Sequence, residues 1–217
     1  MKLIKGLRTL LTAGQGTIVG LDDATVDSDP IELFSNWFEA ADKSGLFLPE
    51  SVALATAGSD GKPSVRMVLL KSYDENGFVF FTNYDSRKSV ELSENPQAAL
   101  LFHWGVLQRQ VRIEGVVEKV SEADSDVYFA SRGRGSQIGA WSSKQSEPLS
   151  TRLELQTSFR EMEKRFDGQE IKRPPHWGGF RLRPEQIEFW QGKANRLHDR
   201  IIFSRSEDSW AAERYYP

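Results

Sequence analysis

Four cationic side chains flank one predicted hairpin in the stretch 62–88. Arg66 and Lys71 lie on an apolar run, and Arg87 and Lys88 begin a short predicted helix. Successive strand side chains point to opposite faces, so Arg66 and Lys71 diverge, which suggests two anions rather than one. The helix dipole disfavours cations in the first turn unless an anion binds there, so Arg87 and Lys88 indicate a bound phosphate. Each cation alone is better explained as a solvated charge, but their convergence predicts a phosphate-bearing ligand.

A second group of polar side chains follows the turn at 192–195. On a strand predicted over 196–203, Arg196, His198 and Arg200 share one face. Two guanidinium groups beside an imidazole disfavour its protonated form, so we expect His198 to be a neutral hydrogen-bonding group at pH 7. Such a face suits the binding and orientation of an anionic substrate. The alternative is a solvent-facing strand with incidental charges.

Three further features allow both a binding and a structural interpretation. The glycine-rich basic segment 132–137 can present backbone N–H groups and guanidinium groups to a phosphate, or it can be a solvated loop. Gln110, on an alternating strand, can contact a heterocycle or lie exposed. Trp190 can form the wall of a site for a flat ring or belong to the core.

Hydrophobic periodicity and turn residues predict a β-rich chain with helices packed outside. Asn76-Gly77 is a strong hairpin signal between two apolar runs. Predicted helices cover 30–44, 86–94, 122–131 and 151–167, and predicted strands outside the hairpin cover 52–56, 98–104, 108–120, 178–182, 187–190, 196–203 and 210–215. Strand-rich segments at both ends with helices between them favour a single β-barrel-like domain.

Bulk composition restricts the class of protein. The chain has 217 residues, of which 39% are hydrophobic and 27% charged, as is typical of a soluble globular protein. A net charge of −3 without a long Lys/Arg block predicts no nucleic-acid partner, and no apolar run is long enough to span a membrane. The lack of cysteine excludes disulfides and thiolate sites and fits a cytoplasmic location. Three histidines without metal-ligand spacing predict no metal centre.

The first 27 residues differ in character from the rest of the chain. They are rich in glycine and threonine with scattered apolar side chains. We predict that residues 1–27 form a flexible N-terminal arm and that residues 28–217 form the single domain.

With these residues identified, the sequence resembles the pyridoxine/pyridoxamine 5′-phosphate oxidase family from about residue 29 to residue 217. Several of the matching motifs are long, ungapped and unusual, so the resemblance is specific. The motifs are RMVLLK at 66–71, SRK at 86–88, RQV at 109–111, SQIGAWSSKQS at 136–146, WGGFRL at 177–182 and QIEFWQG…RLHDR at 186–200. The resemblance implies a mainly β fold with flanking helices, namely an FMN-binding split β-barrel. It also implies a homodimer with FMN held at the subunit interface.

The resemblance further implies site residues, carried over motif by motif. The residues that would contact FMN are Arg66, Met67, Val68, Leu69, Leu70, Lys71, Phe81, Thr82, Arg87, Lys88, Gln110, Gln145, Ser146, Trp190 and Arg200. The residues that would contact the substrate are Lys71, Tyr128, Arg132, Ser136, Arg196 and His198, and the last two are expected to be catalytic. The FMN phosphate would lie against Arg66, Arg87 and Lys88. The substrate phosphate would lie against Lys71, Arg132 and Ser136.

The implied activity is oxidation of pyridoxine or pyridoxamine 5′-phosphate to pyridoxal 5′-phosphate, with hydride transfer to FMN and reduction of dioxygen to hydrogen peroxide. Two alternatives are a related flavin oxidase for another aromatic substrate, such as a phenazine precursor, and a non-catalytic carrier of flavin or pyridoxal phosphate. A substrate without phosphate would not need Lys71, Tyr128, Arg132 and Ser136, which argues against the first alternative. Two positions depart from the family pattern. Phe81 stands where the family often has tyrosine, and the segment 7–11 lacks the tyrosine of the family's substrate-covering arm.

Overall fold

The structure, a computed structural model, describes residues 20–207 and 209–217. Its strands are β1 (Ser51–Ala57), β2 (Pro63–Leu69), β3 (Ser72–Asp74), β4 (Gly77–Asn83), β5 (Gln97–Trp104), β6 (Arg109–Lys119), β7 (Trp177–Gln191), β8 (Asp199–Ser206) and β9 (Ser209–Tyr215). Its α-helices are α1 (Pro30–Lys43), α2 (Arg87–Glu94), α3 (Glu122–Ser131), α4 (Arg134–Ser142) and α5 (Arg152–Arg165). Short 3₁₀ turns cover Asp23–Asp27, Gly105–Leu107 and Ala194–Arg196. The expectation of a mainly β fold with flanking helices is confirmed.

All the strands belong to one antiparallel sheet that curls into a barrel. The sheet order is β2-β1-β5-β6-β7-β4-β3, and β8 and β9 extend from the far end of β7. β2 and β3 are the first and last strands of this order, since β2 pairs with β1 and β3 pairs with β4. The short segment between β2 and β3 therefore connects the two edges of the sheet. At the bend, the Leu70 N–H donates to Glu50 O (2.9 Å) and the Lys71 N–H donates to Val79 O (2.8 Å).

The hairpin predicted at Asn76-Gly77 is present, but it is shorter than expected. It joins β3 and β4, from Asp74 opposite Gly77 to Ser72 opposite Val79. The prediction of one continuous strand leading into this hairpin was wrong, because the first half of that run leaves the hairpin at Leu70 and pairs with β1 instead.

Two apolar cores determine where a site can form. The first fills the barrel and is covered by α1, whose fully buried Phe34 packs edge-on against Phe78 at 4.9 Å between ring centroids. The second lies between the helices and the start of β7, and its buried members are Phe129, Ile138, Ile171 and Trp177. This second core packs helices α3 and α4 against the barrel, and a cleft lies between these helices and the barrel.

The segment 132–137 is not a loop, since α4 begins at Arg134. The N–H groups of Ser136 and Gln137 both donate to Gly133 O, at 2.8 and 3.1 Å. Burial of Ile138 in the second core supplies the stabilisation that the glycine-rich sequence lacks.

Two other predicted boundaries change. The strands predicted over 178–182 and 187–190 form the single long strand β7. The strand predicted from residue 196 begins only at Asp199, because Asn195 and Arg196 have left-handed backbones with φ of 57° and 61°. Arg196 and His198 therefore lie on a turn and do not share a strand face with Arg200.

The predicted N-terminal arm falls mainly on residues 1–19, which lie outside the described residues, as does the segment 7–11. Residues 20–27 pack against the body of the protein: Leu21 is buried, and Arg214 Nη2 donates to Leu21 O at 3.1 Å and to Asp22 O at 2.9 Å. Within residues 20–207 and 209–217, no helix is long and apolar enough to cross a membrane. In the same ranges, no group of three or more His, Cys, Asp or Glu side chains is arranged to hold a metal ion.

Candidate active site

A cleft of about 670 Å³ lies between the barrel and the helical layer. The bend between β2 and β3 and the end of β4 line one side, and α3 and α4 line the other. Many residues predicted from separate motifs line it together: Met67, Val68, Leu69, Lys71, Phe81, Thr82, Lys88, Tyr128, Arg132, Ser136 and Gln145.

Three aromatic rings stack at one side of the cleft. The Phe81 and Tyr128 centroids are 4.0 Å apart with 20° between the ring planes, and the Phe81 and Trp177 centroids are 5.5 Å apart with 11° between the planes. The guanidinium carbon of Arg132 lies 4.6 Å from the centroid of the Trp177 ring. The stack is a flat apolar surface that also positions a cation at its edge.

Lys88 brings a buried positive charge to the cleft. The residue is 7% exposed, and its Nζ donates to Thr82 Oγ1 (3.0 Å), Ser86 Oγ (3.1 Å) and Gln145 Oε1 (3.3 Å). Among the described residues, no carboxylate lies within ion-pair distance of this ammonium. Burial, with the nearby charge of Arg66, lowers the pKa of Lys88 to about 8. A buried ammonium with only neutral partners is stabilised when an anion binds beside it.

Arg132 has an unsatisfied donor in the same cleft. Its Nη1 is buried and has no hydrogen-bond partner among the described residues. Burial also lowers the pKa of the Arg132 guanidinium, as expected for a cation without a counter-charge. An unpaired buried N–H is costly, so this geometry suits a ligand with anionic oxygens.

Arg66 and Arg87 lie next to the cleft and meet at one carboxylate. Arg66 Nη2 is 3.0 Å from Glu91 Oε2, and Arg87 Nε is 2.7 Å from Glu91 Oε1. Arg87 and Ser146 line a neighbouring cavity of about 400 Å³. Leu70 is buried in the first core.

The remaining predicted residues form a separate cluster at the far end of β7. Gln110 pairs with Trp190, which pairs in turn with Arg200 across the sheet. The Trp190 and His198 ring centroids are 4.5 Å apart. Arg196 is exposed on the turn before β8.

The protonation state of His198 follows from one hydrogen bond. The Lys193 backbone N–H donates to His198 Nδ1 at 3.0 Å. An atom that accepts a hydrogen bond carries no proton, so the imidazole in this geometry is neutral and its proton is on Nε2.

The two clusters are far apart within one chain. Trp177 begins β7 beside the cleft, and Trp190 lies 13 positions further along the same strand. At about 3.3 Å per residue, they are roughly 40 Å apart along the strand. The structure of one chain therefore does not bring Trp190, His198 and Arg200 to the cleft that contains Lys88 and Arg132.

Some site residues were missed by the sequence analysis. Trp177 was quoted only as part of a motif, although a tryptophan directly before Gly178-Gly179 at a strand start was a usable signal for a ring-binding surface. Glu91 and Glu188, the ion-pair partners of the predicted cations, had no local signal. The other lining residues that were missed are Asn83, Gly133, Gly139, Ala140 and Ser143.

Comparison with known proteins identifies the family of the chain. The family described as Pyridoxamine 5′-phosphate oxidase matches residues 39–191, and the one described as Pyridoxine 5′-phosphate oxidase C-terminal dimerisation region matches residues 177–217. Relatives named pyridoxine/pyridoxamine 5′-phosphate oxidase include one from Rubrobacter xylanophilus, 55% identical over 93% of both chains. Another, from Psychromonas ingrahamii, is 52% identical over the whole of both chains.

One solved structure is also similar over most of the chain. It is PhzG from Burkholderia lata in complex with tetrahydrophenazine-1-carboxylic acid, 33% identical, with a TM-score of 0.83 over 88% of this chain and 93% of that one. The family matches together span residues 39–217, and the two relatives match the chain over 93% and 100% of their own length. The chain therefore belongs to the pyridoxamine 5′-phosphate oxidase family.

Proposed function

We propose that this protein is an FMN-dependent oxidase that converts pyridoxine 5′-phosphate and pyridoxamine 5′-phosphate to pyridoxal 5′-phosphate. The observation that carries the proposal is the cleft, in which the side chain of Lys88 and the Nη1 atom of Arg132 are buried beside a stack of aromatic rings, and neither cation has a carboxylate partner among the described residues. A planar, phosphate-bearing ligand satisfies both features. The family relatives of 52–55% identity support the same substrates.

The residues at the cleft fit the flavin cofactor. Lys88 supplies a buried charge for its phosphate, with Arg66 and Arg87 in the same charged cluster. Met67, Val68 and Leu69 line the same cleft as Lys88. When bound, FMN supplies the redox chemistry by accepting a hydride from carbon 4′ of the substrate and passing the electrons to dioxygen, which yields hydrogen peroxide.

The substrate phosphate binds at the other end of the same cleft. The unpaired Nη1 of Arg132 donates to it, assisted by Lys71 and by Ser136 in the first turn of α4. Tyr128, stacked on Phe81, borders the substrate ring. These contacts fix the position of the substrate, which is the largest contribution that a protein makes when its cofactor carries the chemistry.

The protein works as a homodimer, and each site contains residues from both copies. The roughly 40 Å between Trp177 and Trp190 along β7 supports a role for the Trp190 cluster in the cleft of a partner. Exposed apolar side chains border both halves: Met67 at the cleft is 61% exposed, and Leu197, between Arg196 and His198, is 70% exposed. Apolar side chains at such positions indicate a covered surface.

Arg196 and His198 hold the reacting end of the substrate. Arg196 supplies a positive charge from the exposed turn. His198 presents an N–H at Nε2, since its Nδ1 accepts the Lys193 N–H. His198 therefore orients the substrate by donating a hydrogen bond and does not remove a proton through Nδ1.

An aerobic turnover assay tests the function. The FMN-loaded protein is incubated with each of the two substrates, and pyridoxal 5′-phosphate and hydrogen peroxide are expected in equal amounts. Retention of flavin or pyridoxal phosphate without turnover would identify a carrier. Turnover of tetrahydrophenazine-1-carboxylic acid, the ligand of the Burkholderia structure, in preference to both phosphates would instead identify a flavin oxidase for a phenazine precursor.

The roles of Arg196 and His198 are tested in the same assay. We expect Arg196→Ala and His198→Ala to lower turnover about 100-fold while the protein remains yellow, because misplacement of the substrate costs about that factor. His198→Gln, which keeps a donor near the position of Nε2, is expected to retain more turnover than His198→Ala. Near-normal turnover in both alanine variants would remove the catalytic assignment.

A further inference from the structure

Glu91 is a buried carboxylate that joins the cations beside the cleft. We propose that Glu91 is a positioning residue for the phosphate of the flavin cofactor, because it fixes the guanidinium groups of Arg66 and Arg87 and sets the net charge of the phosphate site. This inference rests on the proposed function, since it assumes that FMN binds there. No catalytic contact with the substrate is assigned to Glu91.

Both oxygens of Glu91 accept hydrogen bonds. Oε1 accepts from Arg87 Nε (2.7 Å), and Oε2 accepts from Arg66 Nη2 (3.0 Å), Thr56 Oγ1 (2.5 Å) and Ser64 Oγ (2.6 Å). Its side chain is 10% exposed. A buried carboxylate with this many donors holds one orientation, and so do the groups that donate to it.

Arg66 is consequently a fixed charge. Its Nη1 donates to Leu54 O (3.2 Å) and to Thr56 Oγ1 (2.5 Å), and its Nη2 donates to Ser64 Oγ and to Glu91. Each terminal nitrogen has two protons, so these four contacts occupy all of them. The Nε–H is the remaining donor of Arg66 that these contacts leave available to a ligand.

The charges of the cluster match those of a phosphate monoester. Arg66, Arg87 and Lys88 carry three positive charges and Glu91 carries one negative charge, which leaves two positive charges. A phosphate monoester carries close to two negative charges above about pH 7, since its second pKa is about 6. Without Glu91 the site has an excess positive charge and three cations that repel one another.

Glu91 is charged at neutral pH. Burial alone would raise its pKa, but hydrogen bonds from Ser64, Thr56, Arg87 and Arg66 outweigh burial and lower the pKa to about 2. The charge of Arg66 lowers the pKa of Lys88 and that of Glu91 raises it, and Glu91 also pairs with Arg87, so the charge of Glu91 acts on all three cations.

The test compares FMN with riboflavin, which has the same ring system and no phosphate. Dissociation constants for both are measured by quenching of flavin fluorescence with the apoprotein. In Glu91→Gln, an NH₂ group, which cannot accept a hydrogen bond, replaces one of the two carboxylate oxygens. This group must face either Arg87 or Arg66, so the two arginines lose their common partner. We expect the preference for FMN over riboflavin to fall about tenfold or more, with the riboflavin constant unchanged.

The matched control is Glu94→Gln, which makes the same substitution at another glutamate of the same helix. Glu94 Oε2 accepts from the Ser59 N–H (3.0 Å) and hydroxyl (3.1 Å) and contacts none of the cluster's cations. We expect this variant to keep the wild-type preference. If Glu91→Gln does not fold, Glu91→Asp gives the same readout, because the shorter side chain keeps the charge but cannot reach Arg66 and Arg87 together.

Each result decides between distinct conclusions. An unchanged preference in folded Glu91 variants overturns the inference, as does an equal loss of FMN and riboflavin affinity, which would assign Glu91 to the fold alone. A wild-type protein that shows no preference for FMN overturns the cofactor assignment as well. If the wild type turns over both substrates but the Glu91 prediction fails, the proposed function stands and only this inference is removed.

Discussion

The ammonium of Lys88 illustrates how one residue links binding to pH. Its pKa is about 8 in the folded protein, compared with 10.5 for an unperturbed lysine. Below pH 8 the group is charged and ready to pair with phosphate. Above pH 8 it is neutral, so under the proposed function it must take up a proton when the FMN phosphate binds.

We therefore expect FMN affinity to fall as the pH rises above 8, by up to about tenfold per pH unit. The measurement is the FMN dissociation constant between pH 6.5 and 9.5. In Lys88→Met, affinity should be low and nearly independent of pH in this range. A wild-type affinity that stays constant to pH 9.5 would contradict the assignment of Lys88 to the phosphate.

The same pKa shift has a consequence for stability. Because the folded pKa is depressed, the charged form of Lys88 destabilises the apoprotein below pH 8, and this cost is relieved as the pH rises from 8 towards 10.5. The cost is at most about 3 kcal/mol from the pKa difference. Chemical denaturation at pH 7 is therefore expected to show Lys88→Met apoprotein to be more stable than wild type, with the difference shrinking at pH 10.

Arg196, for which we propose a contact with the substrate, also has a strained backbone. Its φ of 61° lies in the left-handed region, which costs roughly 1–2 kcal/mol for a residue with a Cβ. Arg196→Gly should thus be about 1 kcal/mol more stable than Arg196→Ala in chemical denaturation. Both variants should lose turnover equally. Equal stability of the two variants would show that the turn is not strained.

At the scale of elements, the β3–β4 hairpin depends on Gly77. Its φ is 136°, and a Cβ there would meet Leu182 O at 2.1 Å, because β7 passes directly alongside. We expect Gly77→Ala to destabilise the protein by more than about 2 kcal/mol, since backbone atoms must move.

Gly61 offers the matched comparison for this prediction. It also has a positive φ, of 71°, but nothing lies within 4 Å of its added Cβ. Gly61→Ala should cost only about 1 kcal/mol of conformational strain. Similar losses in the two variants, measured by denaturation, would show that the crowding against β7 is not the cause.

Helix α2 is the other element on which the site depends. It begins after Ser86, and its first turn carries Arg87 and Lys88, where no acidic residue offsets the helix dipole. One turn later Glu91 pairs with Arg87 at an i,i+4 spacing. The helix therefore presents cations and their counter-charge together at the edge of the cleft.

At the scale of the whole molecule, the proposed function predicts that each site is formed by two copies of the chain. A variant altered in the cleft, Lys71→Ala, and one altered in the loop, Arg196→Ala, should each be inactive alone. In mixed dimers one of the two sites combines an intact cleft with an intact loop. After random exchange of subunits, about a quarter of the wild-type turnover should return. Recovery of no activity on mixing would mean that cleft and loop belong to the same chain.

Much of the local structure could be read from the sequence. Asn76-Gly77 marked the hairpin, Ser86 marked the start of α2, and strand alternation placed Arg66 and Met67 on opposite faces, as their half-buried and exposed side chains confirm. The cationic character of the cleft followed from these signals. Each of these signals depends on backbone preferences or side-chain periodicity over a few neighbouring residues, so it can be recognised in the sequence itself.

The pairing of distant segments was decided only by the tertiary structure. The sheet order made β2 a partner of β1 and not of β4, and the second core turned the glycine-rich segment after Arg132 into α4. The same packing placed Trp177 on Phe81 and set Glu91 between Arg66 and Arg87. These contacts join residues that are remote in sequence, and their free energy comes from burial and charge pairing in the assembled protein, so no local pattern could encode them.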